Sequence, residues 1–213
     1  MTAPATFDSS CRRCPRLAGF LDEVRGEHPD YWCRPVPPFG DPQPRILLVG
    51  LAPGLHGANR TGRPFTGDYA GILLYETLHA LGIGSQRESV SADDPMRLAG
   101  LRITNAVKCL PPANNPNPDE IARCNAYLRA ELGALPSVRV LVALGRIAHD
   151  AALDALGQRR GSAKFGHGAE HRLATGQVLL DSYHCSRYNT NTRRLTPEMF
   201  RAVLARAVEL AAR

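Results

Sequence analysis

The stretch "RILLVGLAP" (45–53) is an apolar run, Ile46 to Val49, stopped by Gly50 and Pro53. It shows no polar alternation, which is the pattern of a strand covered on both faces, as in a parallel sheet. Three more stretches read the same way: "LRITNAVKCL" (101–110), "VRVLVALG" (138–145) and "QVLLDSYH" (177–184). Helical patterns lie between them. "YAGILLYETLHALG" (69–82) and "RIAHDAALDALG" (146–157) both close on glycine, and "NPDEIARCNAYLRAELG" (117–133) offers Asn117 as N-cap with Pro118 in its first turn. A last helix starts at Thr196-Pro197-Glu198 and puts Phe200, Val203, Leu204 and Val208 on one face. Strands alternating with helices predict an α/β fold, a three-layer α/β/α sandwich around a mostly parallel four-stranded sheet. Ligands of such sheets bind beyond the carboxyl ends of the strands, here the polar segments after Val49, Ile103, Val142 and Leu180.

At 213 residues the chain suits one domain (1–213) able to bury its own core. Residues 1–40, rich in proline and short of apolar periodicity, read as an N-terminal extension pinned onto it. The net charge is +6, and since Lys108 and Lys164 are the only lysines among 26 basic residues, the excess is carried by arginine. Arginine pairs bidentately with phosphate, so a polyanionic partner is allowed, although skewed codon usage produces the same excess. No run of about 20 apolar residues is present, and the N-terminus has neither the basic start nor the apolar middle of a secretory signal. That argues against a membrane protein and predicts a cytoplasmic one. In a reducing compartment six cysteines are expected as ligands, nucleophiles or packing rather than disulfides.

Cys11 and Cys14 form a CxxC in "SCRRCP". Cys109 follows the second strand, and Cys124 falls on the inward stripe Ile121, Cys124, Leu128, Leu132. Four thiolates suffice for a [4Fe–4S] cluster or a zinc site with four cysteine ligands, and spacing alone leaves both open. Cys33 and Cys185 lack such spacing.

The loop "GLAPGLHGANRTGRPFTGD" (50–68) is rich in glycine, which brings backbone amides close to a ligand, yet it matches no Walker or dinucleotide fingerprint. Within it Phe65 either plugs the core or stacks on a flat substrate. Asp68 directly precedes a helix, which alone makes it an N-cap. Asn105, in an apolar strand, either bonds a neighbouring loop or reads a base edge. His184 ends the fourth strand, and "SYHCSRYNTNTRRLT" (182–196) continues as a polar segment suited to phosphate. "RRGSAKFGHGAEHR" (159–172) reads as a mobile basic loop.

Together, "GLAPGLHGANRTGRPFTGD", "ITNAVKC" with the later Cys124, and "SYHCSRYNTNTRRLT" resemble the uracil-DNA glycosylase superfamily, specifically family 5, the type B enzymes with an iron–sulfur cluster. The similarity runs from the CxxC to the final helix. It implies excision of uracil, and of other deaminated bases such as hypoxanthine and xanthine, from DNA by a monofunctional, monomeric enzyme acting on nucleoid DNA. It implies Asp68 and His184 as catalytic residues and Gly54, Phe65 and Asn105 as base contacts. It implies DNA contacts from Arg60, Arg187, Asn189, Asn191 and Arg193, and it selects [4Fe–4S] over zinc for Cys11, Cys14, Cys109 and Cys124. Type A relatives carry a glutamate where this chain has Ala52, which argues against a uracil-restricted type A enzyme. Two positions depart from the family pattern: Cys185 replaces the usual proline after the histidine, and Asn115 stands where lysine is expected, removing one phosphate contact. A non-catalytic iron–sulfur protein that binds damaged DNA and a zinc-dependent binding module are the alternatives.

Overall fold

The computed structural model describes residues 6–212; residues 1–5 of the expected extension and Arg213 lie outside the described residues. In chain order the regular elements are α1 (Pro15–Glu27), β1 (Phe39–Gly40), β2 (Ile46–Gly50), α2 (Ala58–Thr61) and α3 (Tyr69–Ala80). They continue as β3 (Leu101–Asn105), α4 (Pro118–Ala134), β4 (Val140–Leu144), α5 (Arg146–Ala155), β5 (Glu170–Arg172), β6 (Val178–Ser182), α6 (Arg187–Asn191) and α7 (Pro197–Ala212). The sheet runs in the order β1-β3-β2-β4-β6-β5.

β3, β2, β4 and β6 are the four strands expected from the apolar runs, and all their pairings are parallel. The strand count is corrected from four to six. β1 and β5 add antiparallel edges of two and three residues, too short and too exposed to leave an apolar signature. Alternate residues of the central strands feed two cores. Leu48, Ile103, Val142 and Leu180 pack with α3 and α7, while Leu47, Val49, Leu141 and Leu179 pack with α4 and α5. Both faces are covered, giving the three predicted layers.

Three further readings are corrected. The extension contains α1, which buries Leu17, Ala18, Leu21 and Val24. Arg16 on α1 pairs with the carboxylate of Glu120 in α4 (Nη2 to Oε2, 2.7 Å), and that carboxylate also accepts the Asn117 N–H at the helix start (2.7 Å). The 159–172 stretch is partly ordered as β5. The polar segment behind His184 folds into α6, where the Ser186 hydroxyl caps the Asn189 N–H at 3.4 Å.

Candidate active site

β3 and β2 end side by side, with β6 one strand further across β4, and the side chains expected to act on a base gather beyond these ends in one open cleft of about 420 Å³. Its lining includes Gly54, Phe65, Asp68, Asn105, His184 and Arg187. Asp68 is the only carboxylate among the lining residues, and no lysine lines the cleft.

The loop from β2 to α3 is folded tightly on itself. Gly54 O accepts the N–H groups of Gly57 (3.2 Å) and Asn59 (3.0 Å), and Thr61 Oγ1 donates to Gly57 O (3.1 Å). Phe65 is buried and holds a left-handed backbone (φ 53°), a conformation that costs a non-glycine residue energy and is tolerated where surroundings fix it. Its ring stacks on His184 at 5.8 Å between centroids.

Asp68 is the N-cap that its position predicts, and it also faces the cleft. Its Oδ1 caps α3 by accepting the Gly71 N–H at 2.9 Å, while the carboxyl group lines the cleft. Burial raises its pKa; the N–H groups of Gly71 and Ala70 and the charge of Arg60 oppose that rise. The carboxylate has room because position 57 is glycine: a Cβ there would stand 2.6 Å from Asp68 Cγ. Position 50 is constrained likewise, since a Cβ would come within 2.7 Å of Phe65 Cζ. Sequence reading missed both roles, and the glycine-rich loop was the only available signal.

Asn105 is buried at the end of β3, and its Oδ1 has no hydrogen-bond partner. A buried carbonyl without a donor costs stability; Asn59 and Asn125 share this feature, and of the three only Asn105 lines the cleft. Burial lowers the pKa of His184 to about 4, so the imidazole is neutral at pH 7.

The residues expected to touch DNA divide. Arg187, Asn191 and Arg193 are exposed, and the Arg187 guanidinium lies over the Tyr69 ring at 5.1 Å. Arg60 is exposed but gives one N–H to Gly67 O (3.0 Å). Asn189 is half-buried, and its Nδ2 donates to His184 O at 2.8 Å, which ties it to the backbone of the histidine. Sequence reading passed over Tyr188, which is 72% exposed between these polar residues.

In a separate cavity Cys11, Cys14, Cys109 and Cys124 come together with Leu17, Val107 and Lys108. All four are free thiols, and the Lys108 N–H points at Cys124 Sγ (3.3 Å). Burial and the neighbouring thiols push the Cys109 pKa up. Cys33 and Cys185 are buried elsewhere, each in an apolar cluster.

Beyond the strand ends of a three-layer sandwich, one cleft thus brings together a carboxylate, a neutral imidazole, an aromatic ring and an unpaired amide carbonyl. The chain matches the family described as "Uracil DNA glycosylase superfamily" over residues 37–207, and it belongs to that superfamily. It is 54% identical over 210 residues to the type-5 uracil-DNA glycosylase of Thermus thermophilus, covering 95% of this chain and 94% of the relative. The type-5 enzyme of Pyrobaculum aerophilum is 46% identical over 202 residues (93% and 88%). The type-4 enzyme of the same organism is 37% identical over 154 residues, covering 70% of each chain. Among the described residues no helix is long and apolar enough to cross a membrane.

Proposed function

We propose that this chain, a uracil-DNA glycosylase by family, hydrolyses the N-glycosidic bond of uracil in DNA, and also that of hypoxanthine and xanthine, leaving the strand intact. The observation that carries the reading is the shared cleft, in which the only lining carboxylate, Asp68, meets His184 and the unpaired Asn105 carbonyl.

Reaching that cleft requires the nucleotide to leave the stack, which costs a few kcal/mol and least at a mismatch such as U·G. Stacked on Phe65, uracil presents its N3–H to Asn105 Oδ1. Hypoxanthine and xanthine offer the same kind of N–H beside a carbonyl, whereas cytosine and adenine do not. As the bond from C1′ to the base nitrogen breaks, its electron pair leaves with the base. The neutral His184 imidazole and the backbone N–H groups near Gly54 hydrogen-bond the resulting anion. Asp68, ionised, orients a water toward the cationic sugar and takes up its proton as oxygen bonds C1′. Strand cleavage through an imine would need an amine nucleophile, and the absence of lysine from the lining residues favours a monofunctional enzyme. Arg187, Asn191 and Arg193 contact phosphates, and Tyr188 enters the space vacated in the duplex. The protein acts as a monomer in the cytoplasm, on nucleoid DNA.

Cys11, Cys14, Cys109 and Cys124 line one cavity, and the four thiolates they would supply suit a [4Fe–4S] cluster, the group that the family resemblance implies. When bound, the cluster supplies a structural tie from α1 to the end of β3 and to α4; glycosidic hydrolysis itself moves no electrons.

Duplexes carrying uracil, hypoxanthine, xanthine or no lesion, assayed for abasic sites before and after alkali, test the function. Excision of all three with breaks only after alkali is expected. Uracil alone excised would return the type A specificity, and binding without excision the non-catalytic alternative. Stoichiometric zinc without iron and acid-labile sulfide would overturn the cluster.

A further inference from the structure

Asp181 is the fourth residue of β6 and is fully buried after three apolar residues. A buried carboxylate is tolerated only when charge and hydrogen bonds compensate it, and none of its partners belongs to the base cleft. Its Oδ1 meets His149 Nδ1 of α5 at 2.7 Å. Its Oδ2 meets the Gly166 N–H at 3.2 Å and His171 Nε2 of β5 at 3.3 Å. Its backbone binds the same segment, with its N–H on Ala169 O (3.0 Å) and its O accepting the Gly168 N–H (2.8 Å). His149 adds the near end through Nε2 on Ala163 O at 3.2 Å. One carboxylate and one imidazole thus clamp residues 163–171.

That segment reaches the active site through His167. Its Nδ1 accepts the Tyr183 N–H at 3.2 Å, and its ring stacks on the Tyr183 ring at 5.1 Å. Tyr183 immediately precedes His184. Among the described residues no hydrogen bond reaches the His184 ring, so its placement depends on the Phe65 face and on the backbone around it. That backbone is held on one side by His167 and on the other by Asn189.

We propose that Asp181 and His149 are positioning residues of the glycosylase, a buried carboxylate and imidazolium whose clamp on residues 163–171 fixes Tyr183 and thereby aims His184 at the departing base. The inference rests on the proposed function of His184. Both ring nitrogens of His149 face acceptors, and an imidazole satisfies two acceptors only when it carries both protons. Burial alone would lower the His149 pKa, but Asp181, the Ala163 carbonyl and Asp150 together outweigh it and the net shift is upward. The groups facing this imidazole are Asp181 from β6, His171 from β5, the Ala163 carbonyl and, on its own helix, Asp150.

The test uses the full-length protein with its metal centre intact. Uracil excision is measured in single turnover at saturating enzyme, beside DNA affinity and the imidazole nitrogen NMR spectrum. Asp181→Asn should slow excision by about tenfold to a hundredfold, the cost of misplacing a catalytic group by about 1 Å, change DNA affinity less than about threefold, and shift the His184 ring signals. The wild-type spectrum should show both His149 nitrogens protonated at pH 7.5. The pair Asp181→Asn with His149→Gln leaves no unpaired buried charge, so it should fold and still excise slowly. Wild-type single-turnover rates in both folded variants would overturn the proposal. So would a His149 with one protonated nitrogen, or a stoichiometric divalent ion other than iron held by His149, His171 and Asp181. A wild type that excises no uracil would instead remove the function on which the proposal rests.

Discussion

The rings of Phe65 and His184 lie 5.8 Å apart with their planes inclined by 28°, although the residues come from the loop after β2 and the end of β6. The contact joins the aromatic face of the base cleft to the imidazole beside it, so a change in one is felt by the other. Phe65→Leu keeps an apolar group in the buried position but removes the flat face. Stacking on an aromatic is worth about 1–3 kcal/mol per base, so excision should fall about tenfold or more while the thermal midpoint moves little. Unchanged single-turnover rates would assign Phe65 to packing alone.

The two titrating groups of the cleft act on stability in opposite directions. Unfolded histidine takes up a proton below its ordinary value of 6.5, whereas His184 in the fold does so only near pH 4. The unfolded state therefore binds more protons in between, and the stability due to neutral His184 is complete above pH 6.5 and lost as the pH falls toward 4. Asp68, raised by burial, contributes stability at low pH that is lost as the pH rises through its folded value. Thermal midpoints from about pH 7 to about pH 4.5 should accordingly fall less steeply in His184→Asn than in the wild type. Parallel curves would contradict the buried neutral imidazole. On the role proposed for ionised Asp68, excision should fall on acidification with a midpoint above the ordinary carboxylate range.

Gly57→Ala tests whether the space beside Asp68 matters. The added Cβ would meet the Asp68 carboxyl group, its nearest neighbours being the side-chain atoms of that residue. Since the clash falls on the carboxylate proposed to direct the water, excision should drop about tenfold to a hundredfold with the fold retained. Normal excision with a lowered thermal midpoint would place the strain elsewhere.

Tyr188→Ala should separate base extrusion from chemistry. The side chain is 72% exposed and flanked by exposed Arg187, suited to enter the space left by a flipped base. Because U·A resists opening more than U·G, the variant should lose about tenfold more excision on U·A than on U·G, equivalent to about 1.4 kcal/mol. Equal losses on both duplexes would assign Tyr188 to general DNA affinity.

The four parallel strands were legible because each is a short apolar run buried on both faces, as Ile46 to Gly50 illustrates. β5 was hidden because Glu170, His171 and Arg172 form a polar edge strand held by the backbone of β6 rather than by burial. α1 was hidden because its buried positions sit in a segment whose prolines and cysteines dominate its composition. In the site, Asp68 and Asn105 could be singled out as an N-cap and a polar residue in an apolar strand, and the motif resemblance assigned them roles. The clamp between His149 and Asp181 depends on a contact between separate segments, and the bond from Asn189 to the His184 carbonyl on the irregular turn between them, neither of which an apolar or helical pattern encodes.

The most direct test of the account is single-turnover uracil excision by Asp68→Asn, with DNA affinity measured on the same preparation. Asparagine caps a helix about as well as aspartate, so α3 should remain intact and the variant isolates the carboxylate. The account predicts undiminished DNA binding and excision lowered about a hundredfold or more. Excision at the wild-type rate would contradict it.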